Sequence, residues 1–321
     1  MRGFSRGLAL LCSLVFCNAV FSQEFPNRTI RIVVPVAAGG SPDVLARIIA
    51  EQMRARLGQA VVVDNRVGAG QMIGADYVAK SAPDGYTIML PTATYCSSAA
   101  IQPKLLFDPV NDLTGVSMVG SGPLVVVVHP SVPVKNIKEL IALAKSKPGQ
   151  LTFGSAGAGS IIHFAAEIFA ASTAIEMLHV PFKSAAPAVT AAVSGEISLM
   201  FISIPSVRPQ LQSKRLRAIA VTSGKRSSFV PELPTVAEAG VPGYEAGQWW
   251  GVLAPAKVPA VIINKLNSEI NAILASDDMR TRLGNEGAEV VLMSPESFTS
   301  LIRSEIAKYR KVVKDRNLKP V

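Results

Sequence analysis

The stretch Ile30-Arg31-Ile32-Val33-Val34-Pro35-Val36-Ala37-Ala38-Gly39-Gly40-Ser41-Pro42-Asp43-Val44-Leu45-Ala46-Arg47 reads as a buried strand, a glycine turn and the opening of a helix. Apart from Arg31 the strand is apolar, as in a buried strand of a parallel sheet. Ser41 is placed to cap the helix, Pro42 suits its first position, and Asp43 favours its positive end. Such a turn presents free main-chain N–H groups beside a helix dipole, which is a receptor for an anion. Val36, Ala37, Ala38, Gly39, Gly40 and Ser41 are therefore candidate ligand contacts.

Working outward, the pattern repeats. Val61–Asp64 and Tyr86–Leu90 are short, apolar, strand-like runs. Helices are predicted over Ser41 to about Leu57, stopped by Gly58, and over about Gln71 to Ala82, ended by Pro83. Strand–helix alternation of this kind builds a parallel α/β sheet. After Gly120-Ser121-Gly122-Pro123 the texture changes, and a second α/β unit follows. It comprises strand Leu124–His129, helix Asn136–Lys147, strand Leu151–Phe153, helix Ser160–Ala171, strand Glu176–Val180, helix Ala186–Ser194 and strand Glu196–Ile202. Leu216–Val221 reads as a returning strand, followed by Trp249–Leu253 and by helices over Ala260–Ser276 and Ser294 to about Lys314. The expected division is 23–122 with 221–321 as a discontinuous first domain and 123–220 as the second. The chain then crosses between them twice and leaves a cleft.

The first residues stand apart from this grammar. Arg2 and Arg6 precede the apolar run Leu8–Phe21, with small residues before a cut between Ser22 and Gln23, which is the pattern of a secretory signal peptide over 1–22. Phe16 is too bulky for a lipoprotein box ending at Cys17. Loss of the leader removes Cys12 and Cys17, so Cys96 remains alone and no internal disulfide can form. A periplasmic location is the simplest compartment. The chain carries 32 basic and 23 acidic residues, and losing Arg2 and Arg6 lowers its net charge from +9 to +7. An excess of that size attracts anionic solutes. Scattered basic residues and few aromatics argue against nucleic acid as a partner.

Three glycine turns lie at the carboxyl ends of presumed parallel strands, where open α/β sheets bind ligands. Besides the first, they are Gly68-Ala69-Gly70-Gln71 and Ser155-Ala156-Gly157-Ala158-Gly159-Ser160. A single such turn is ordinary chain reversal, but three at equivalent positions read as a carboxylate clamp. Gly68-Ala69-Gly70-Gln71-Met72-Ile73-Gly74 has the wrong spacing for a dinucleotide fingerprint, and there is no phosphate loop and no paired Cys or His metal motif. Neither a cofactor nor a metal is expected. Thr92 and Thr94, after the third strand, add hydroxyl donors. Lys183, after Val180-Pro181-Phe182, and Ser203, after Ile202, are candidates on the second domain, while Trp249 and Trp250 read as packing at the crossover. His163, on the first turn of its helix, is a further candidate to hydrogen-bond the ligand or cap a loop. The alternative is an exported serine hydrolase using Ser155 or Ser160 with His163, although no Gly-x-Ser-x-Gly elbow exists. His179 in its apolar strand reads as a core residue.

Ordered matches along the chain resemble the Bug family of periplasmic solute receptors, related to the binding subunit of tripartite tricarboxylate transporters. They include Pro35 to Arg47, Val63-Asp64-Asn65-Arg66-Val67-Gly68-Ala69-Gly70, Ala82-Pro83-Asp84-Gly85-Tyr86-Thr87, Phe107-Asp108-Pro109-Val110, His179-Val180-Pro181-Phe182-Lys183, Leu233 to Gly240 and Leu253-Ala254-Pro255. The resemblance implies a two-domain, type II Venus flytrap with two crossover strands. It also implies a ligand carboxylate held by main-chain amides of the first two turns, with Ser155–Ser160 and Lys183 closing over the other end. The implied partners are a small organic anion and either membrane permease subunits or a sensor protein, with the receptor a monomer. Gln71 and Met72 depart from the family's usual glycine and asparagine. Ile202 and Ala191 stand where acids are common, and Ser184 where glycine is usual. Loss of those acids points to a plain mono- or dicarboxylate instead of an amino acid.

Overall fold

The computed structural model describes residues 25–319. The predicted leader over 1–22, with Cys12 and Cys17, lies outside the described residues. Its elements alternate as the sequence pattern requires: β1 (Ile30–Val34), α1 (Ser41–Leu57), β2 (Val61–Asn65), a 3-10 turn at Ala69–Gln71, α2 (Met72–Ala79), β3 (Thr87–Met89), α3 (Thr94–Ile101) and the long β4 (Leu113–Val128). There follow α4 (Ile137–Ser146), β5 (Thr152–Ser155), α5 (Ile161–Thr173), β6 (Leu178–Pro181), α6 (Ala185–Ser194), β7 (Leu199–Ser203), α7 (Ile204–Gln212) and β8 (Arg217–Val221). The chain ends in β9 (Gly247–Pro255), α8 (Ala260–Leu274), α9 (Asp277–Asn285), β10 (Glu289–Val290) and α10 (Pro295–Asp315).

The strand order is β2-β1-β3-β9-β4-β7-β5-β6, with β8 and β10 also paired to β4. β1 lies parallel to both β2 and β3, with Ile32 opposite Val63 and Ile88. β5 lies parallel to β6 and β7. Between these two parallel sets, β9 and β4 run antiparallel. β4 changes partners along its length: Leu113–Pro123 follow β9, and Leu124–Val128 pair with β7 and β8. Pro123 stands at the changeover, where its missing N–H costs least. Two α/β units, or lobes, therefore share one strand.

β4 begins eleven residues before the predicted Leu124 and runs straight through Gly120-Ser121-Gly122-Pro123. Those glycines are not a break. A Cβ on Gly122 would lie 2.4 Å from the Gly287 carbonyl, so the α9–β10 backbone crosses here at a distance only glycine permits. Ser41 is not the cap of α1. Gly40 occupies that position without a side-chain bond, and Asp43 instead reaches back to the Gly39 N–H at 2.9 Å. α2 starts at Met72 and ends at Ala79, shorter than predicted.

β1, α1 and α8 enclose one apolar core, with Ile30, Ile32, Leu45, Ile49 and Ile270 buried. A second core runs from Met72 and Tyr95 through β4 to Phe153, Phe164 and Phe169, so it is continuous between the lobes. α10 braces this region. Phe298 meets Trp249 edge-on at 5.4 Å, Tyr309 meets Phe164 at 5.1 Å, and Arg316 Nε donates to Glu167 Oε2 at 3.0 Å. Cys96 is sealed beneath α10 with its sulfur 3.9 Å from the Ile302 carbonyl, and burial pushes its thiol pKa well up. No helix among the described residues is long and apolar enough to cross a membrane.

Candidate functional site

The first turn joins β1 to α1. Its shape is set by Asp43, which is 2 % exposed and accepts from the Gly39 N–H, from Arg47 and from Asn65 Nδ2 at 2.9–3.0 Å. Burial pushes the Asp43 pKa up, but the bonds from Arg47, Gly39 and Asn65 and the Arg47 charge outweigh it and hold the carboxyl at about 2. The Gly39 amide is thus committed to a resident carboxylate, and Gly40 N–H turns back on the Ala37 carbonyl at 3.4 Å. Asn65 also donates to the Val36 carbonyl at 3.0 Å, tying this turn to the end of β2. Among the described residues, the N–H groups of Ala37, Ala38 and Ser41 have no acceptor. Ser41 Oγ is buried and equally unpartnered.

The second turn follows β2, beside the first. Gly68, Ala69, Gly70 and Gln71 take φ values of +136°, +46°, +61° and +80° in succession. Two of these are not glycine, and such strain persists only where surroundings enforce it. At Gln71 the enforcing bonds are visible: its Nε2 donates to Thr92 Oγ1 at 2.6 Å, and its Oε1 accepts from the Thr92 N–H at 3.1 Å, both residues being buried. Ala69 and Gly70 N–H groups have no acceptor among the described residues. Consecutive amides on left-handed backbone form an anion-binding concavity.

The third turn, on the other lobe, spans Ser155–Ser160 between β5 and α5. Ser160 caps α5 by accepting from the His163 N–H at 3.3 Å and donates to the Gly157 carbonyl at 2.7 Å. Ser155 is 0 % exposed; its Oγ contacts Gly157 N and O and lies 2.6 Å from His179 Nε2. Ala156, Gly157 and Ala158 are half-buried at the tip. His163 is 3 % exposed and its Nδ1 accepts the Gly159 N–H at 3.3 Å. Its Nε2 stands 3.7 Å from Glu167 Oε1. Burial raises the Glu167 pKa, and the bonds and charges of His163 and Arg316 more than reverse that. Burial, with the neighbouring His163, lowers His179 to about 4 against an opposing pull from Glu167.

The third turn reaches the first lobe through α3. Ser97 Oγ donates to the Gly159 carbonyl at 2.6 Å, Ser98 Oγ to the same oxygen at 3.4 Å, and Thr94 Oγ1 accepts the Ile161 N–H at 3.4 Å. A Cβ on Gly70 would fall 2.2 Å from Ser98 Oγ, so the second and third turns flank one side chain. Lys183 is exposed directly after Phe182, whose N–H donates to the Ser155 carbonyl at 3.1 Å. Ser203 is drawn elsewhere: it stands at the residue before α7 without a capping bond to the helix backbone, and its hydroxyl meets Ser206 Oγ at 2.7 Å. Thr92 is spent on Gln71, and Thr94 spans the lobes.

Three contributors escaped sequence reasoning: α3 with Ser97 and Ser98, Asn65, and the Glu167–Arg316 pair. The hydroxyl-rich run Thr92-Ala93-Thr94-Tyr95-Cys96-Ser97-Ser98 was the available signal for the first. The hydrolase arrangement is not assembled. Ser155 is sealed and paired with His179 instead of His163, and Ser160 is spent as a cap.

The model of the tripartite tricarboxylate transporter family receptor matches residues 45–318. The chain belongs to that receptor family. It is 36 % identical to BugT of Bordetella pertussis over 94 % of this chain and 93 % of that protein. Among solved structures it is similar to Rpa4515 of R. palustris with adipate, at 36 % identity and a TM-score of 0.79, covering 93 % of this chain and all of that one. It is also similar to MatC of Rhodopseudomonas palustris with bound malate, at 33 % identity and a TM-score of 0.76, covering 90 % of this chain and all of that one. The architecture is therefore the two-domain α/β fold of periplasmic solute-binding proteins, and the family's role is that of a solute receptor.

Proposed function

We propose that this receptor captures a small aliphatic carboxylate, of the mono- or dicarboxylate kind, between its lobes and hands it to a tripartite-type permease or a sensor in the periplasm. The supporting observation is the set of donors that have no partner among the described residues at two adjoining turns: the N–H groups of Ala37, Ala38, Ser41, Ala69 and Gly70, with the buried Ser41 hydroxyl. Donors fixed on backbone hold an oxyanion without side-chain ordering cost. The third turn and Lys183 complete the enclosure from lobe two. The adipate and malate seen on relatives belong to the same chemical class. The boundaries proposed for the lobes are 23–122 with 221–321, and 123–220.

Binding without chemistry stabilises only the native state, so a ligand raises the melting temperature. A thermal-shift screen of C3–C8 mono- and dicarboxylates against amino acids tests the class. An increase confined to amino acids, or turnover of any bound acid, overturns the reading.

A further inference from the structure

The lobe-two turn is held at both ends by imidazoles. His163 and His179 stack with ring centroids 4.0 Å apart and planes 18° apart, and Phe153 lies against His179 at 4.9 Å. At the start of the turn His179 Nε2 meets Ser155 Oγ; at its end the Gly159 N–H donates to His163 Nδ1. The Gly159 peptide is thus fixed from behind by an imidazole, while its carbonyl takes the hydroxyls of Ser97 and Ser98 from the opposite lobe. An imidazole nitrogen accepts a hydrogen bond only when it carries no proton.

We propose that the stacked His163–His179 pair consists of positioning residues for the capture turn, and that a proton on His163 Nδ1 loosens that turn and releases the captured anion. This rests on the reading of Ser155–Ser160 as the lobe-two half of the site. Protonation sets donor against donor at Gly159, and the peptide that α3 recognises loses its support. The stack admits one positive charge at most, since a second imidazolium at 4.0 Å would repel the first. The groups facing the pair are few. Glu167 approaches from α5, and Arg316, just beyond α10, already neutralises it at 3.0 Å. β5 presents Phe153 and Ser155. From α3, among the described residues, only the hydroxyls of Thr94, Ser97 and Ser98 bond the turn and the start of α5.

The test uses two readouts on the whole protein. Without ligand, the Gly159 amide resonance in ¹⁵N NMR should move with the titration of the His163 ring. With adipate and malate as probes, calorimetric affinity of the unaltered protein should fall by about tenfold over the pH interval in which the His163 ring resonances are seen to change, the loss of roughly one hydrogen bond. His163→Asn places an oxygen acceptor near the Nδ1 position and does not titrate, so its affinity should hold level across that range. His163→Leu should bind weakly throughout. A Gly159 amide that stays still while the ring titrates overturns the proposal, as does an acid response in His163→Asn equal to that of the unaltered protein. Should neither probe bind at about pH 8, the assignment of the ligand class fails, and the amide titration alone decides the positioning role.

Discussion

At the scale of single residues, the site is built from groups whose bonding is either complete or conspicuously open. Gln71 is complete. Its left-handed backbone is strained, and its amide holds Thr92 by two bonds. Gln71→Ala keeps the strain and strips the bonds, leaving the buried Thr92 N–H unsatisfied, so it should destabilise by about 2 kcal/mol. Gln71→Gly relieves the strain and should cost about 1 kcal/mol less in denaturant melts. Ser41 is open: its hydroxyl has no partner among the described residues, so Ser41→Ala should leave the melting temperature unchanged or slightly higher while weakening carboxylate binding by about tenfold. Equal affinity in Ser41→Ala would remove that hydroxyl from the site. His179 carries a pH signature of its own. Its folded pKa, about 4, lies below its ordinary 6.5. The unfolded chain therefore takes the proton first on acidification. Stability is full above 6.5 and declines as pH falls toward 4, and a melting series in His179→Gln should lack that decline. Little of this bonding was legible in the sequence. That Gly39 would spend its amide on Asp43 follows from three-dimensional convergence with Arg47 and Asn65, which spacing does not reveal.

At the scale of elements, legibility follows amphipathicity. α1 was readable to both ends, Ser41 and Leu57, because its apolar stripe is regular and Gly58 adopts the left-handed stop. α3 was not, because six of its eight residues are buried and no polar face marks a period. α7 was missed because Pro205 and Pro209 argue against a helix, although Pro205 fits a first turn. β4 was truncated because glycines that admit a crossing backbone look like glycines that make a turn. Gly122→Ala tests that reading. Its Cβ would meet the Gly287 carbonyl, and either β4 or the α9–β10 connection must shift, so a loss of about 3 kcal/mol in chemical denaturation is expected. A change below 1 kcal/mol would show that the crossing is pliant.

At the scale of the whole molecule, the α/β class and the doubled architecture were visible as strand–helix alternation, because period and turn chemistry survive in one dimension. The brace between the lobes was not. α10 belongs to the end of the chain, yet it delivers Arg316 to Glu167, 149 residues away. Among the described residues, Arg316→Leu leaves the buried Glu167 carboxylate with His163 as its one remaining ionic partner. The expected loss is about 3 kcal/mol at neutral pH, recovered in part by Glu167→Gln on the same background, since the uncompensated charge is then gone.

The thiol of Cys96 gives that brace a built-in gauge. Enclosed under α10 and kept in its protonated form, it is chemically silent while the helix is seated. Alkylation by a small iodoacetamide reagent can proceed only when α10 lifts, so its rate counts excursions of the C-terminal brace. Whether solute capture slows that clock would separate hinge bending, which leaves the helix docked, from a looser opening that peels it away.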